Sequence, residues 1–249
     1  MSNAVLETRE LTYSFLDGRI KRTILDRVNS SFEKGKLYAI VGVSGSGKTT
    51  FLSLIGALDS PESGEVLYLG KNIREIGYEY YRRNIIGIVF QNYNLVQYMT
   101  AVENVMVAMG ITDKKIKEDH REYALKMLEK VGIDRNTAGR TVNKLSGGDQ
   151  QRVAIARALS TDVDIIMADE PTGNLDYDTS MNIMEIFLRL AHEMNKCVII
   201  VTHDLSVAQK ADVRLQLNPR TKSFETRMSS EEEKKPEEKK LSDVFYPVD

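Results

Sequence analysis

Apolar positions in this chain fall into short runs whose period changes along the sequence. Between residues 3 and 41 they alternate with turn signals: Asp17-Gly18 reads as a hairpin turn and LYAIV (37–41) as a buried strand. TTFLSLIGAL (49–58) then reads as a helix. SPESGEVLYLGKNI (60–73) predicts a turn and a returning strand, and IIGIVF (85–90) the next strand, ending at Gln91. From about residue 92 to 161 strand signals stop. Within that block REYALKMLEKVGI (121–133) places Ala124, Leu125, Leu128 and Val131 on one helical face, and QQRVAIARALS (150–160) predicts a second helix with Val153, Ile155, Ala156 and Leu159 apolar. Strands and helices alternate again in DIIMAD (164–169), MNIMEIFLRLAHEM (181–194) and CVIIVTH (197–203).

Such alternation implies a mostly parallel sheet with ligand sites at the carboxyl ends of its strands. The fold expected is α/β: a core preceded by an N-terminal antiparallel β subdomain and interrupted by an inserted helical subdomain at about 92–161, all within residues 1–225. After about Phe224 the composition changes to SSEEEKKPEEKK (229–240), which predicts a charged, flexible tail over 226–249. Its end, LSDVFYPVD, keeps enough apolar content to dock on another surface.

Composition narrows the function classes. A net charge of −2 gives no global electrostatic reason to expect nucleic acid. Negative mean hydropathy and the lack of any apolar run near 18 residues argue against a membrane span, so work at a membrane would be done from outside the bilayer. The N-terminus, MSNAVLETRE, lacks the basic and then apolar profile of a signal peptide, and export is not expected. Cys197, the single cysteine, lies in CVIIV and reads as a buried strand position.

Candidate chemistry sits at the strand ends. GVSGSGKTT (42–50) follows a strand and opens a helix, the context a phosphate-binding loop requires. Its glycines let the backbone curl around phosphate oxygens, so that Gly42, Ser44, Gly45, Ser46, Gly47 and Thr50 form the cradle. Lys48 would reach the β- and γ-phosphates and Thr49 would offer its hydroxyl to Mg²⁺. IIMADE delivers two adjacent carboxylates: Asp169 for Mg²⁺, and Glu170 to orient and deprotonate a water. In LSGGDQQR (145–152), Ser146, Gly147 and Gly148 precede a helix and can bind an anion at its positive end, although read alone SGGD is simply a helix cap. Since Lys48 already supplies a phosphate cradle, a second anion site suggests a γ-phosphate donated across a dimer interface.

These motifs, in this order over about residues 4–220, resemble the nucleotide-binding subunit of an ATP-binding cassette (ABC) transporter, a P-loop NTPase with a RecA-like core. ADEPTGNLD (168–176) and TAVENV (100–105) resemble most the branch of macrolide-exporter, lipoprotein-release, FtsE-type and antimicrobial-peptide-efflux ATPases. The resemblance implies that Tyr13 stacks on adenine, although a core aromatic is the plainer reading of a strand tyrosine. It implies that Gln91 touches Mg²⁺ or the lytic water and reports to a membrane partner through the segment after it. His203 would contact the γ-phosphate and hold Glu170 in line, and Asp176 would cross the dimer interface. His120 and His192 match no motif.

The resemblance further implies an ATPase that uses ATP and Mg²⁺, pairs head to tail with a second copy of itself, and powers export of peptides, drugs or lipidated substrates. Separate integral membrane permease subunits, with room for an accessory membrane-fusion-type protein, would hold it at the cytoplasmic face of the cell membrane. An FtsE-like mechanotransmission ATPase, moving a membrane partner without transport, shares the same motifs. Chromosome-organising relatives would need long coiled coils between Lys48 and Ser146, and that gap is too short. The signature continues as Asp149-Gln150-Gln151, and NLVQYMT (94–100) lacks the proline that relatives often carry.

Overall fold

The computed structural model describes residues 4–18 and 20–228. Two long strands, β1 (Ala4–Asp17) and β2 (Ile20–Glu33), form a hairpin about Gly18, whose φ of 63° suits a residue without Cβ. Its register shifts near Leu11 and on both sides of Tyr13. Strand β3 (Leu37–Val41) feeds the glycine loop and α1 (Lys48–Ile55), which ends at Gly56. Strands β4 (Ser63–Tyr68) and β5 (Lys71–Asn72) complete an antiparallel sheet of order β2-β1-β4-β5. Two short helices, α2 (Ile73–Ile76) and α3 (Tyr78–Asn84), which the apolar pattern does not announce, lead into β6 (Ile86–Val89).

Four helices come next: α4 (Ala101–Met109), α5 (His120–Lys130), α6 (Arg135–Ala138) and α7 (Gly147–Leu159). A capping box between Thr100 and Glu103 starts α4, and Asp119 caps α5. The core resumes with β7 (Ile165–Asp169), α8 (Tyr177–His192), β8 (Cys197–Val201), α9 (Leu205–Ala208), β9 (Val213–Leu217) and β10 (Phe224–Met228). Helix α8 starts four residues before the apolar stripe at Met181, because the Asp176 carboxylate caps it by accepting from the Thr179 N–H. Strand β10 takes in residues 226–228, the first three of the expected flexible tail, and the rest of that tail, 229–249, lies outside the described residues.

The second sheet has the order β10-β9-β3-β8-β7-β6, with β9, β3, β8, β7 and β6 parallel and β10 antiparallel at the edge. Its central strands are covered on both faces, which is why they read as unbroken apolar runs. Leu37, Ala39 and Val41 of β3 join a core with Val198 and Ile200 of β8, Phe187 of α8 and the apolar faces of α4, α5 and α7. Tyr38 and Ile40 turn to the other face, against Phe51 of α1, Tyr81 of α3 and the inner side of the antiparallel sheet. The helical block thus shares its core with the sheet. Each fully buried Val, Ile or Leu in these layers contributes about 1.5–3 kcal/mol of transfer free energy, so truncating Phe187 or Ile200 to Ala would cost about 2–5 kcal/mol.

Candidate active site

The parallel strands end on one side of the sheet. From there the loop after β3, Gln91 after β6, Glu170 after β7 and His203 after β8 converge on a cavity of about 610 Å³. Residues Ser44 through Thr50 line its floor. The loop needs glycine at two places on steric grounds. A Cβ on Gly42 would lie 2.7 Å from the Ser46 hydroxyl, and Gly47 combines a φ of 100° with a would-be Cβ 2.7 Å from Ile24 Cγ2. Gly47 precedes α1 without any side-chain cap, which leaves the first N–H groups of the helix to the loop.

Polar groups in the loop are built for an anion. Lys48 is buried, and its ammonium folds back to donate to the carbonyls of Gly42 and Val43 at 2.9 and 3.2 Å. The Ser46 Oγ is buried with no hydrogen-bond partner among the described residues, an orphan that a phosphate oxygen would satisfy. Beside it Thr49 Oγ1 donates to Asp169 Oδ1 at 3.2 Å. Burial pushes the Asp169 carboxyl above the usual carboxylate range; the Glu170 charge adds to this, and the Thr49 hydrogen bond and Lys48 oppose it. A hard cation between Thr49 and Asp169 would relieve that cost.

Glu170 adopts φ 45°, an uncommon left-handed conformation for a non-glycine residue, held by its N–H donating to Val201 O at 2.9 Å. The twist separates it from Asp169 and turns it to His203, whose Nδ1 lies 2.9 Å from Glu170 Oε2 while the His203 N–H reaches the same oxygen at 3.3 Å. Two contacts on one carboxylate oxygen fix its direction.

Tyr13 does not line this cavity. Its hydroxyl donates to Asp59 at 2.6 Å, and its ring packs against the second core. The aromatic that does line the cavity is Phe15, with Arg22 and Ile24 from the facing strand. The register shifts flanking Tyr13 decide which β1 side chains face the loop, so residue type alone could not choose between the two aromatics. The signal available was the Asp17-Gly18 turn, which pairs Phe15 with Arg22.

Ser146, Gly147, Gly148 and Asp176 lie elsewhere, in a smaller hollow of about 310 Å³ that shares no lining residue with the first. Ser146 caps α7, accepting from the Asp149 N–H at 3.2 Å and donating to Asp149 Oδ2 at 2.7 Å. Gly148 faces α8 so closely that a Cβ would lie 2.7 Å from Thr179 Cγ2. Asp176 accepts from the Thr179 hydroxyl at 2.6 Å and from its N–H at 2.9 Å, and these bonds hold its carboxyl below the usual range. Of the two histidines outside the motifs, His192 pairs with Asp212 at 2.9 Å.

A parallel sheet ending in a glycine cradle, a buried lysine, a strand-end carboxylate pair and an orienting histidine defines a P-loop ATPase. The family model described as ABC transporter matches residues 25–173, more than half of the chain. A Bacillus subtilis relative named ABC transporter ATP-binding protein YclH is 54% identical over 77% of this chain and 84% of its own length. The lipoprotein-releasing system ATP-binding protein LolD of Colwellia psychrerythraea is 41% identical over 86% of this chain and 83% of its own length. The bacterial ABC transporter cassette MJ0796, solved as a dimer, superposes with a TM-score of 0.82 at 34% identity, covering 91% of this chain and 99% of that one. This chain belongs to the ABC transporter family, as an ATP-binding, ATP-hydrolysing subunit.

Proposed function

We propose that two copies of this chain close head to tail on two ATP molecules, and that closing and reopening move separate membrane permease subunits. One observation carries the reading: the Ser44–Thr50 loop and the Ser146–Gly148 cap line separate hollows of the chain, so as half-sites they would be completed by a second copy. The dimeric form of MJ0796, found also in a post-hydrolysis state with ADP and Pi bound, supports it.

In this reading Phe15 stacks on the base, and the loop N–H groups and the Ser46 hydroxyl receive the phosphates. Lys48 exchanges its two carbonyl partners for the γ-phosphate. Glu170 holds the attacking water and takes its proton, while His203 keeps that carboxylate in line. Thr49, Asp169 and Gln91 would hold Mg²⁺, which supplies charge neutralisation across the β- and γ-phosphates. The partner copy would present its own Ser146 and Gly148 to the γ-phosphate, with Asp176 at the seam. Because binding closes the interface and hydrolysis opens it, a partner seated on the segment after Gln91 is driven between two states.

A groove of about 420 Å³ beside that segment, lined by Phe90, Val107, Ile111, Arg82 and Arg83 among others, suits a permease element and would hold the chain at the cytoplasmic membrane face. No helix among the described residues is long and apolar enough to cross a membrane. The match to LolD favours a lipidated or otherwise membrane-borne substrate, and the proposal leaves room for an accessory membrane-fusion-type partner. The test is ATPase rate against protein concentration. The reading expects a rise steeper than linear; a strictly linear rate from a monomer contradicts it.

A further inference from the structure

Arg157, near the carboxyl end of α7, is half-buried yet forms no ion pair with a carboxylate among the described residues. Its guanidinium donates instead to two backbone carbonyls, Tyr93 O at 2.8 Å and Asn94 O. Those residues begin just after Gln91, and both have positive φ, 60° at Tyr93 and 49° at Asn94. Two consecutive non-glycine residues in the left-handed region persist only where surroundings hold them. A half-buried guanidinium that donates to two carbonyls is such a hold, because the planar fork can serve both at once.

The same turn is tied to the other end of α7. Tyr93 packs against the first core, and its hydroxyl lies where a Cβ on Gly147 would be 3.2 Å away. Near Arg157, α7 rests directly on β6: a Cβ on Gly87 would come within 2.8 Å of Ala158 O. The helix therefore meets the sheet at a fixed point beside Arg157, carries Ser146 at its far end, and grips the Gln91 turn at both ends.

We infer that Arg157 is a positioning residue, which locks the Tyr93–Asn94 turn to the signature helix so that the placement of Gln91 follows the placement of Ser146. The inference rests on the reading of Gln91 as part of the ATP site. It gives the two half-sites a physical link within one chain: moving α7 to meet a partner's nucleotide carries along the turn that aims Gln91 at the chain's own.

The experiment is a double-mutant cycle on the full chain, measuring kcat, KM and the Kd for a fluorescent ATP analogue. Arg157→Gln is expected to lower kcat about 10- to 100-fold through displacement of Gln91. Nucleotide Kd should stay within about twofold, since the phosphate loop is untouched. Arg157→Gln combined with Gln91→Ala should be no slower than Gln91→Ala alone. Adding Asn94→Gly to Arg157→Gln should recover part of the lost rate, because glycine takes the positive φ unaided. If Arg157→Gln does not fold, Arg157→Lys serves in the cycle, with a smaller loss of kcat that likewise vanishes beside Gln91→Ala. Losses that add, or an Asn94→Gly that rescues nothing, overturn the inference. A Gln91→Ala chain with wild-type turnover removes the catalytic reading of Gln91 itself, and this inference with it.

Discussion

The two hollows proposed to bind anions use similar residue types but differ in how far they are built. Around Lys48 the donors are preorganised and underused: a hydroxyl without a partner, an ammonium resting on carbonyls, and a free helix start. Around Ser146 the polar groups already satisfy one another, Ser146 with Asp149 and Asp176 with Thr179, in a smaller hollow. A group that already has partners gains little from a ligand arriving alone. In the proposed function the first half-site would therefore bind nucleotide by itself, and the second would gain a role only when another surface brings the phosphate and excludes water.

The largest expected effect probes the chemistry within the first half-site. Glu170→Gln keeps shape and hydrogen bonding but loses the base, so kcat should fall about 10²- to 10⁴-fold while ATP still binds. Near-normal turnover would sink the assignment. Ser146→Arg probes the second half-site and should lower kcat about 10²-fold by keeping the faces apart. Nucleotide affinity of the dilute chain should then change no more than about twofold; a large loss of affinity would mean both hollows serve one nucleotide.

The choice between the two aromatics can be tested in the same way. Phe15→Ala should raise KM for ATP about 5- to 100-fold, the scale of a lost base stack, whereas Tyr13→Phe should leave KM near wild type. The reverse ranking would restore Tyr13. A smaller effect concerns stability. Burial raises the folded-state pKa of Asp169 above its unfolded value, so its ionisation destabilises the nucleotide-free fold as pH rises through that interval. Asp169→Asn should therefore have the higher Tm at neutral pH, and the difference should shrink below the carboxylate range. A Tm difference that does not change with pH would contradict the cause given.

Much of this was legible in the sequence because strand-end motifs are local. The residues 42–50 need only their own neighbours to form a cradle, and β3, β7 and β8 announce themselves as unbroken apolar runs. What stayed hidden depends on distant partners. The β1–β2 register is set by bulges, so Phe15 rather than Tyr13 reaches the cavity. Helices α2 and α3 are too short to show a period. Nothing in the helix pattern of residues 150–160 marks Arg157, whose carbonyl partners come from the distant turn at Tyr93. Separation of the two hollows is likewise visible only once the helical block is placed against the sheet.

The central claim, that one chain holds two halves of different sites, is tested most directly by the mass of the Glu170→Gln variant in solution with and without ATP. The account predicts a monomer without nucleotide, a stable dimer with ATP, and loss of that dimer when Ser146→Arg is added although ATP still binds. A variant that binds ATP and stays monomeric at every concentration, or one that dimerises regardless of Ser146, would contradict it.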